Sequence, residues 1–508
     1  MDGPLLVIDR LDDRPVVTQI VEAMREAVLT GALRAGDRVP STRRFAAELG
    51  VARSSVVSAY EQLAGEGFVE LRQGAPTLVA PLGEDRAVGH PPLARVERPD
   101  AGPASAGTAP PSAASALLEA QPPVPRIDLR PGRPSTTRID ERAWRAAWRR
   151  AASLEIPSDE PPRFGEPELR AAIADHVRHA RGFACDAEDV IVTAGTSEAL
   201  RLVGQALGTL AGDRPRVAVE HPGYPSARLV LERTGAAIVP IEVGDDGLRV
   251  DLLRRMPQPP HAVMVTPSHQ YPLGGRLPVA ARLELLEHAR RIGAIVIEDD
   301  YDSEFRHVGP PMPTLASLDG SGAVPGHDAG PGDAAGAVNR RVVLVGSFSK
   351  ILTPWLRLGY AVLPHDDGFR TAMAEARAEH ASPVPGIVQV AVAHLLGNGT
   401  VRRHIAATRR DYAHRRGLVI EALGELPGAH LIGLDGGLHA VLRVADAAVV
   451  DAVVTRLDAA GVAVARLSEY SAARGDEQPG VVIGYAGVAD HELAEGLARI
   501  RAAVLAAS

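Results

Sequence analysis

The sequence predicts two folded units of different class, a small and mainly helical N-terminal one followed by a larger α/β one. Three observations carry this. At 508 residues the chain exceeds the about 100–200 residues usual for one domain. Residues 81–125 are rich in Pro, Ala and Gly and poor in aromatic and β-branched residues, a composition that makes a flexible, partly extended linker rather than a core. Before that stretch, apolar residues recur at helical spacing. Beyond it, short apolar runs end in polar clusters, the pattern of strands in an open α/β sheet. The expected boundaries are therefore 1–80, 81–125 and 126–508.

Composition narrows the class further. Apolar residues make up 45% and charged residues 23%, which excludes global disorder. Lys+Arg 55 against Asp+Glu 63 gives a net charge of −8, so any nucleic-acid contact must come from a local patch. A single cysteine, Cys185, excludes an internal disulfide and a Cys-rich zinc site and points to a reducing, cytoplasmic setting. Met1 to Arg14 lacks the apolar stretch of a signal peptide, and no run approaches the roughly 20 apolar residues of a membrane span. No targeting segment, membrane partner or metal site is expected.

In the N-terminal unit, Pro15 opens a helix carrying Ile20, Val21, Met24, Ala27 and Val28 on one face, and Gly31 stops it. Ser41 caps a second helix with Phe45, Ala46 and Leu49 inward, ended by Gly50. A third runs from about Arg53 to Ala64, with Val56, Tyr60 and Leu63 on one face. Phe68–Arg72 and Thr77–Val79 then read as two short strands around a turn. Three helices, a short turn before the third and a hairpin make a winged helix-turn-helix. DNA docking would place Arg53, Ser54 and Ser55 at base edges and Arg43 and Arg44 at phosphates; an interaction module with a solvated helical face fits the same spacing.

The series Gly36-Asp37-Arg38-Val39-Pro40-Ser41-Thr42-Arg43, Leu49-Gly50-Val51-Ala52-Arg53-Ser54-Ser55-Val56, Ala59-Tyr60 and Glu66-Gly67-Phe68 resembles the winged-helix domain of GntR-type transcription regulators over residues 15–79. The resemblance implies double-stranded DNA as partner, bound at promoter half-sites. Two positions depart from the pattern: Ala52 stands where a capping Ser or Thr is usual, and Ala75-Pro76 replaces a glycine-rich wing tip.

In the larger unit the only lysine of the chain is Lys350; every other basic residue is arginine. Lysine can lose its proton and form a Schiff base, which arginine cannot. Val342–Val345 reads as a buried strand that delivers Lys350 beyond its end through Gly346-Ser347-Phe348-Ser349. A carbonyl cofactor bearing a phosphate needs that amine together with hydroxyl donors and a fixed cation, and Ser347, Ser349 and Arg357 supply them. A pyridine ring needs a carboxylate at its nitrogen. Ile295–Ile297 leads to Glu298-Asp299-Asp300-Tyr301-Asp302, where Asp299 is assigned to the nitrogen and Tyr301 to the ring hydroxyl. Gly195-Thr196-Ser197 opens a helix whose N–H groups can meet a phosphate, and Tyr224 in a Pro-Gly-Tyr-Pro turn can stack on the ring. Each piece alone has a plain structural explanation: a surface lysine, an acidic helix cap, a capped helix, a turn.

Together, and with Thr266-Pro267-Ser268-His269-Gln270-Tyr271-Pro272-Leu273-Gly274, the pieces resemble α/β fold-type I aminotransferases, the pyridoxal phosphate-dependent transferase fold, in order and spacing. The whole chain looks like a MocR-type regulator, the GntR subfamily with an aminotransferase-like effector domain. That resemblance implies pyridoxal 5′-phosphate as cofactor in Schiff-base linkage to Lys350, and a homodimer. It also implies a regulator sensing the cofactor or its adduct with an amine or amino-acid effector, with control of vitamin B6 or amino-acid metabolism as the role. The alternative is a working aminotransferase with an accessory N-terminal interaction domain. Two departures favour sensing over turnover. Val481–Tyr485 lacks the arginine that usually holds a substrate carboxylate, with Arg443 and Arg466 as conceivable substitutes, and Pro162-Arg163-Phe164-Gly165 lacks a tyrosine that many relatives carry.

Overall fold

The computed structural model describes residues 16–29, 33, 36–65, 69–70, 77–79, 126–308, 312–320, 340–472 and 478–507. Pro15, Gly31, the wing tip Ala75-Pro76, the expected linker 81–125 and most of the Gly/Ala/Asp-rich stretch 319–339, whose composition reads as a loop inserted into the larger unit, lie outside these. The chain divides into two compact units, Met1–Glu119 and Ala120–Ser508.

The first unit has helices α1 (Val16–Leu29), α2 (Thr42–Leu49) and α3 (Arg53–Gly65) and strands β1 (Val69–Glu70) and β2 (Leu78–Val79). Ser41 caps α2 by accepting from the Arg44 N–H at 3.3 Å, and Gly50, at φ 62°, turns the chain out of it. Ile20, Met24, Phe45, Val56, Tyr60 and Leu63 are buried, which is the face the helical spacing marks. The Tyr60 hydroxyl donates to the Pro40 carbonyl at 2.8 Å and ties α3 to the entry of α2. The strands pair antiparallel, Val69 opposite Val79, completing the wing stem.

The second unit opens with β3 (Ile127–Asp128), α4 (Glu141–Ala152), α5 (Pro167–Arg181), β4 (Val190–Thr193), α6 (Thr196–Ala211), β5 (Arg216–His221), α7 (Pro225–Arg233), β6 (Ala237–Gly244), β7 (Gly247–Leu248) and α8 (Val250–Arg254). It continues with β8 (Ala262–Val265), α9 (Val279–Ile292), β9 (Ile295–Asp299), α10 (Leu315–Gly320), β10 (Val342–Ser347), β11 (Gly359–Val362), α11 (Asp367–Ala378), α12 (Gly386–Gly397) and α13 (Thr400–Leu423). It ends with β12 (Ala429–Ile432), β13 (His439–Val444), α14 (Ala447–Ala459), β14 (Val462–Ala463), β15 (Ala465–Arg466), β16 (Gly480–Gly484) and α15 (Asp490–Leu505). Eight strands form the main sheet in the order β4-β11-β10-β9-β8-β5-β6-β7. Neighbours from β10 to β6 run parallel, whereas β11 runs antiparallel to both of its neighbours. A separate four-stranded sheet, β12-β13-β16-β15, belongs to the C-terminal part.

The central strands β8, β9 and β10 are buried at every position, as near-continuous apolar runs in a sheet covered on both faces require. Their C-terminal ends, with those of β4 and β5, converge on one edge. At the insertion, the Asp319 carboxylate accepts from the Arg341 and Val342 N–H groups at 2.6 and 3.1 Å, clipping together the two chain segments that flank it. Among the described residues no helix is long and apolar enough to cross a membrane.

Candidate functional site

In the N-terminal unit the five residues expected at DNA lie at the start of α2 and α3. Arg43, Arg44, Arg53 and Ser54 are exposed and Ser55 is half-buried. The Arg53 guanidinium reaches the Thr42 hydroxyl at 3.5 Å, joining the starts of the two helices, and Arg44 pairs with Glu48 one turn on at 2.6 Å. Two residues before the buried Phe45 and Val56 respectively, Arg43 and Ser54 lie across their helices from the core, while Arg53 stands at the exposed first turn of α3.

In the larger unit one cavity of about 190 Å³ is lined by all ten residues expected around a cofactor: Gly195, Thr196, Ser197, Tyr224, Asp299, Tyr301, Ser347, Ser349, Lys350 and Arg357. The C-terminal ends of four strands, β4, β5, β9 and β10, deliver them. After β4, Gly195 at φ 86° lets the chain turn directly into α6. The Glu198 carboxylate accepts from the Ala194 N–H at 2.6 Å and pairs with the buried Arg377 at 2.7 Å; Arg377 also donates to the Val192 carbonyl at 2.9 Å. The start of α6, with the hydroxyls of Thr196 and Ser197, is thereby held at the cavity. Ser347 at the end of β10 accepts from the Ser349 N–H at 3.1 Å, and Arg357 sits at φ 48°, a left-handed conformation uncommon for a side-chain-bearing residue. This side of the cavity gathers a helix N-terminus, hydroxyls and a guanidinium, donors of the kind that suit an anion.

The other side holds the amine and the carboxylate. The Lys350 ammonium donates to the Gly132 carbonyl at 2.7 Å. Burial lowers its pKa against the opposing pull of Asp302 and Asp299, which favours the neutral nucleophile. Gly132 sits at φ 95°, a conformation that favours glycine, and a Cβ there would lie 3.2 Å from the lysine nitrogen. Burial, with the nearby carboxylates of Asp300, Asp302 and Glu220, pushes the Asp299 pKa up to about 7. Its Oδ1 is buried with no hydrogen-bond partner. The Tyr301 hydroxyl donates to the His269 carbonyl at 3.0 Å, and Tyr224 meets Tyr271 edge to face at 5.9 Å.

The acidic run after β9 separates by strand alternation. Glu298 accepts from the Leu315 and Ala316 N–H groups, 2.9 Å each, at the start of α10, Asp300 pairs with the buried Arg181, and Asp299 between them faces the cavity. Asp302 pairs with His269 Nδ1 at 2.8 Å, which raises the histidine pKa even though burial opposes its charge.

Thr266, Tyr271 and Pro354 also line the cavity, and Glu220 supports it from behind, accepting from the Thr266 hydroxyl at 2.5 Å. No role for them follows from the sequence, although Thr266 and Tyr271 lie in the block that resembles aminotransferases. The grouping of His269, Asp302 and His439 within 4.8 Å has no sequence signal, and His439 Nε2 lies 2.9 Å from the Pro272 carbonyl. Neither substitute arginine reaches the cavity: Arg443 binds Gln478 and Arg466 pairs with Asp451. Tyr485, after β16, is buried and donates to the Gly437 carbonyl at 2.8 Å. Phe164 packs into the core beside the sheet. Hollows of about 410 and 430 Å³ open around Arg306, but neither contains the lysine.

A winged helix-turn-helix joined to an aminotransferase-type unit defines a class of protein, the DNA-binding transcription regulator with an enzyme-like second domain. The family model for bacterial regulatory proteins of the gntR family matches residues 16–79, and that for aminotransferase class I and II matches residues 134–500. The chain is 36% identical over 489 residues to the HTH-type pyridoxine biosynthesis transcriptional regulator PdxR of Corynebacterium glutamicum, with 96% of each covered. It is 33% identical over 515 residues to the probable rhizopine catabolism regulatory protein MocR of Rhizobium meliloti, covering 99% of this chain and 96% of that one. The α-aminoadipate aminotransferase LysN of Thermus thermophilus, complexed with N-(5′-phosphopyridoxyl)-L-leucine, shares the fold at TM-score 0.65 and 23% identity over 75% of this chain and 92% of that one. The chain belongs to the MocR-type regulators of the GntR family.

Proposed function

We propose that this regulator carries pyridoxal 5′-phosphate on Lys350 and responds to the cofactor itself, or to an amine that combines with it, by changing how a homodimer presents its winged helices to promoter DNA. The observation that carries the reading is the convergence of ten residues on one cavity, with the lysine amine and the unpartnered Asp299 oxygen inside it. Those residues fit the group. When bound, the cofactor supplies an aldehyde that amines attack and a protonated ring that withdraws electrons. Asp299 would hold the proton at the ring nitrogen, and Tyr301 would orient the ring hydroxyl. Tyr224 would stack on the ring. Gly195, Thr196, Ser197, Ser347, Ser349 and Arg357 would hold the phosphate, and burial shifts the Lys350 amine toward its neutral, nucleophilic form.

Arg357 is the one arginine lining the cavity among the described residues, and the phosphate takes it. Relatives matched along nearly their whole length are named as regulators, so the working-aminotransferase alternative is not favoured. The name of the Corynebacterium relative supports vitamin B6 metabolism as the regulated process ahead of amino-acid metabolism. A ligand moves such a dimer only through unequal affinity for its two arrangements.

The visible spectrum of the purified chain before and after borohydride reduction, followed by peptide mapping, tests this. A band that reduction fixes onto Lys350 is expected. No band, even after pyridoxal phosphate is added, overturns the cofactor assignment.

A further inference from the structure

The larger unit of this net acidic chain carries two strongly basic helices. Four arginines stand on the 12 residues of α4 with only Glu141 against them, and six on the 24 residues of α13 with only Asp411 and Glu421. Half of these ten arginines have no side-chain hydrogen-bond or ion-pair partner among the described residues. Arg142, Arg149, Arg150, Arg402 and Arg410 are all exposed, and among the described residues none lies within ion-pair distance of a carboxylate, although Arg402 acts on Asp175 and Arg410 on Asp411 at longer range. By contrast Arg145 is paired with Glu141 at 2.7 Å and Arg415 with Asp490 at 2.8 Å. The loop that follows α4 contains Glu155, Asp159 and Glu160, yet none of them pairs with these arginines. Both helices pack on α12. The Arg138–Asp411 pair, at 2.6 Å, ties the approach to α4 to the middle of α13, with Arg142 and Arg410 close in sequence to its two ends.

We propose that this arginine-rich surface contacts the phosphate backbone of double-stranded DNA, so that the effector unit adds its own sequence-independent contacts to those of the winged helix. The proposal rests on the DNA-binding reading of the chain. Guanidinium groups suit phosphate oxygens because their planar donors match them bidentately. The spacing also fits: Arg142 to Arg149 spans about 10.5 Å and Arg402 to Arg410 about 12 Å at ~1.5 Å per residue. One DNA strand offers a phosphate about every 3.4 Å of axis, so each row spans roughly three. Such contacts carry no base information; they would hold the DNA against the dimer between its half-sites.

The test uses the full chain and the duplex carrying its wild-type footprint, with affinity measured by fluorescence anisotropy over a series of salt concentrations. One variant carries Arg142→Gln, Arg149→Gln and Arg150→Gln; a second carries Arg402→Gln and Arg410→Gln. The slope of log affinity against log salt is expected to become shallower by about 0.9 for each phosphate that the variant no longer neutralises, hence by roughly 2–3 in the first variant and 1–2 in the second. The base-pair footprint of the winged helices should stay in place. An unchanged slope in both variants overturns the proposal, as does a change in sedimentation, which would make these helices a subunit contact. If the wild-type chain itself shows no salt-dependent binding, the regulator reading fails rather than this inference alone.

Discussion

The two units prepare for their ligands in opposite ways. The N-terminal unit keeps its polar groups on the surface, where Arg43, Arg53 and Ser54 are exposed and only the apolar backs of α2 and α3 are buried. Its contacts form by apposition, so salt screens them and each is replaceable. The larger unit keeps its reactive groups inside. Asp299 is 4% exposed, and burial moves the Asp299 and Lys350 pKa values in opposite directions, toward the neutral form of each. The difference teaches that the surface site is a property of one short stretch of chain, whereas the buried site exists only when distant strand ends are brought together.

The hardest break of that comparison is Lys350→Ala. All of the reducible visible absorbance should disappear, because no other lysine exists to take the cofactor. Binding to non-specific DNA should stay within about twofold of wild type, since the winged helix is a separate unit. Absorbance surviving in the variant would place the cofactor elsewhere.

Next in size is a pH effect confined to the buried site. In the fold, burial raises the Asp299 pKa to about 7, against about 3.9 unfolded. Between those values the folded state binds the extra proton, so stability of the cofactor-free chain falls as pH rises from about 4 to about 7 and levels above that, by up to about 1.4 kcal/mol per pH unit. Asp299→Asn should remove this contribution and leave the slope of the same sign from Glu220 and Glu298, both also near 7 through burial. Urea midpoints of cofactor-free wild type and variant across that range check it. Equal slopes would show that Asp299 stays ionised in the cofactor-free fold.

How far the sequence could be read follows the same division. Ser41, Gly50 and the helix faces of the N-terminal unit are legible because a cap and its helix lie within a few residues of each other. In the larger unit the strand ends carrying Asp299 and Lys350 are legible, since a buried apolar run followed by a reactive residue is a local pattern. The carbonyl that receives the lysine is not: Gly132 lies 218 positions away, and only the closed sheet brings it there. For the same reason Glu220 behind Thr266, and His269 against Asp302, go unforeseen. The run Glu298–Asp302 looks like one acidic cluster in sequence, yet the fold sends its four carboxylates apart: Glu298 to the start of α10, Asp299 to the cavity, Asp300 to Arg181 and Asp302 to His269. Arg443 and Arg466 fail as carboxylate anchors because Gln478 and Asp451, each distant in sequence, engage them first.

At the DNA surface the expected effects are smaller. Arg53→Ala should weaken operator binding by about 1–3 kcal/mol, roughly 5- to 150-fold, and relax base preference at one position, while Arg43→Ala should lower affinity across all sequences and reduce the salt slope by about 1. Binding titrations against operator and scrambled duplexes separate the two. Equal losses on both duplexes for Arg53→Ala would make it a phosphate contact.

The smallest effect sharpens the comparison most, because it asks whether the two units are independent in stability as well as in chemistry. Ser41 accepts a single exposed backbone hydrogen bond at the start of α2, and Ser41→Ala should cost about 1 kcal/mol. In a domain of this size that moves the midpoint by about 4–8 °C. A chain of two separately folding units melts in two steps, so calorimetry should show only the winged-helix transition moving, with the larger unit's transition and its absorbance unchanged. If both transitions shift together, the units melt cooperatively, and the contrast between a local surface site and an assembled interior one would describe their chemistry but not their folding.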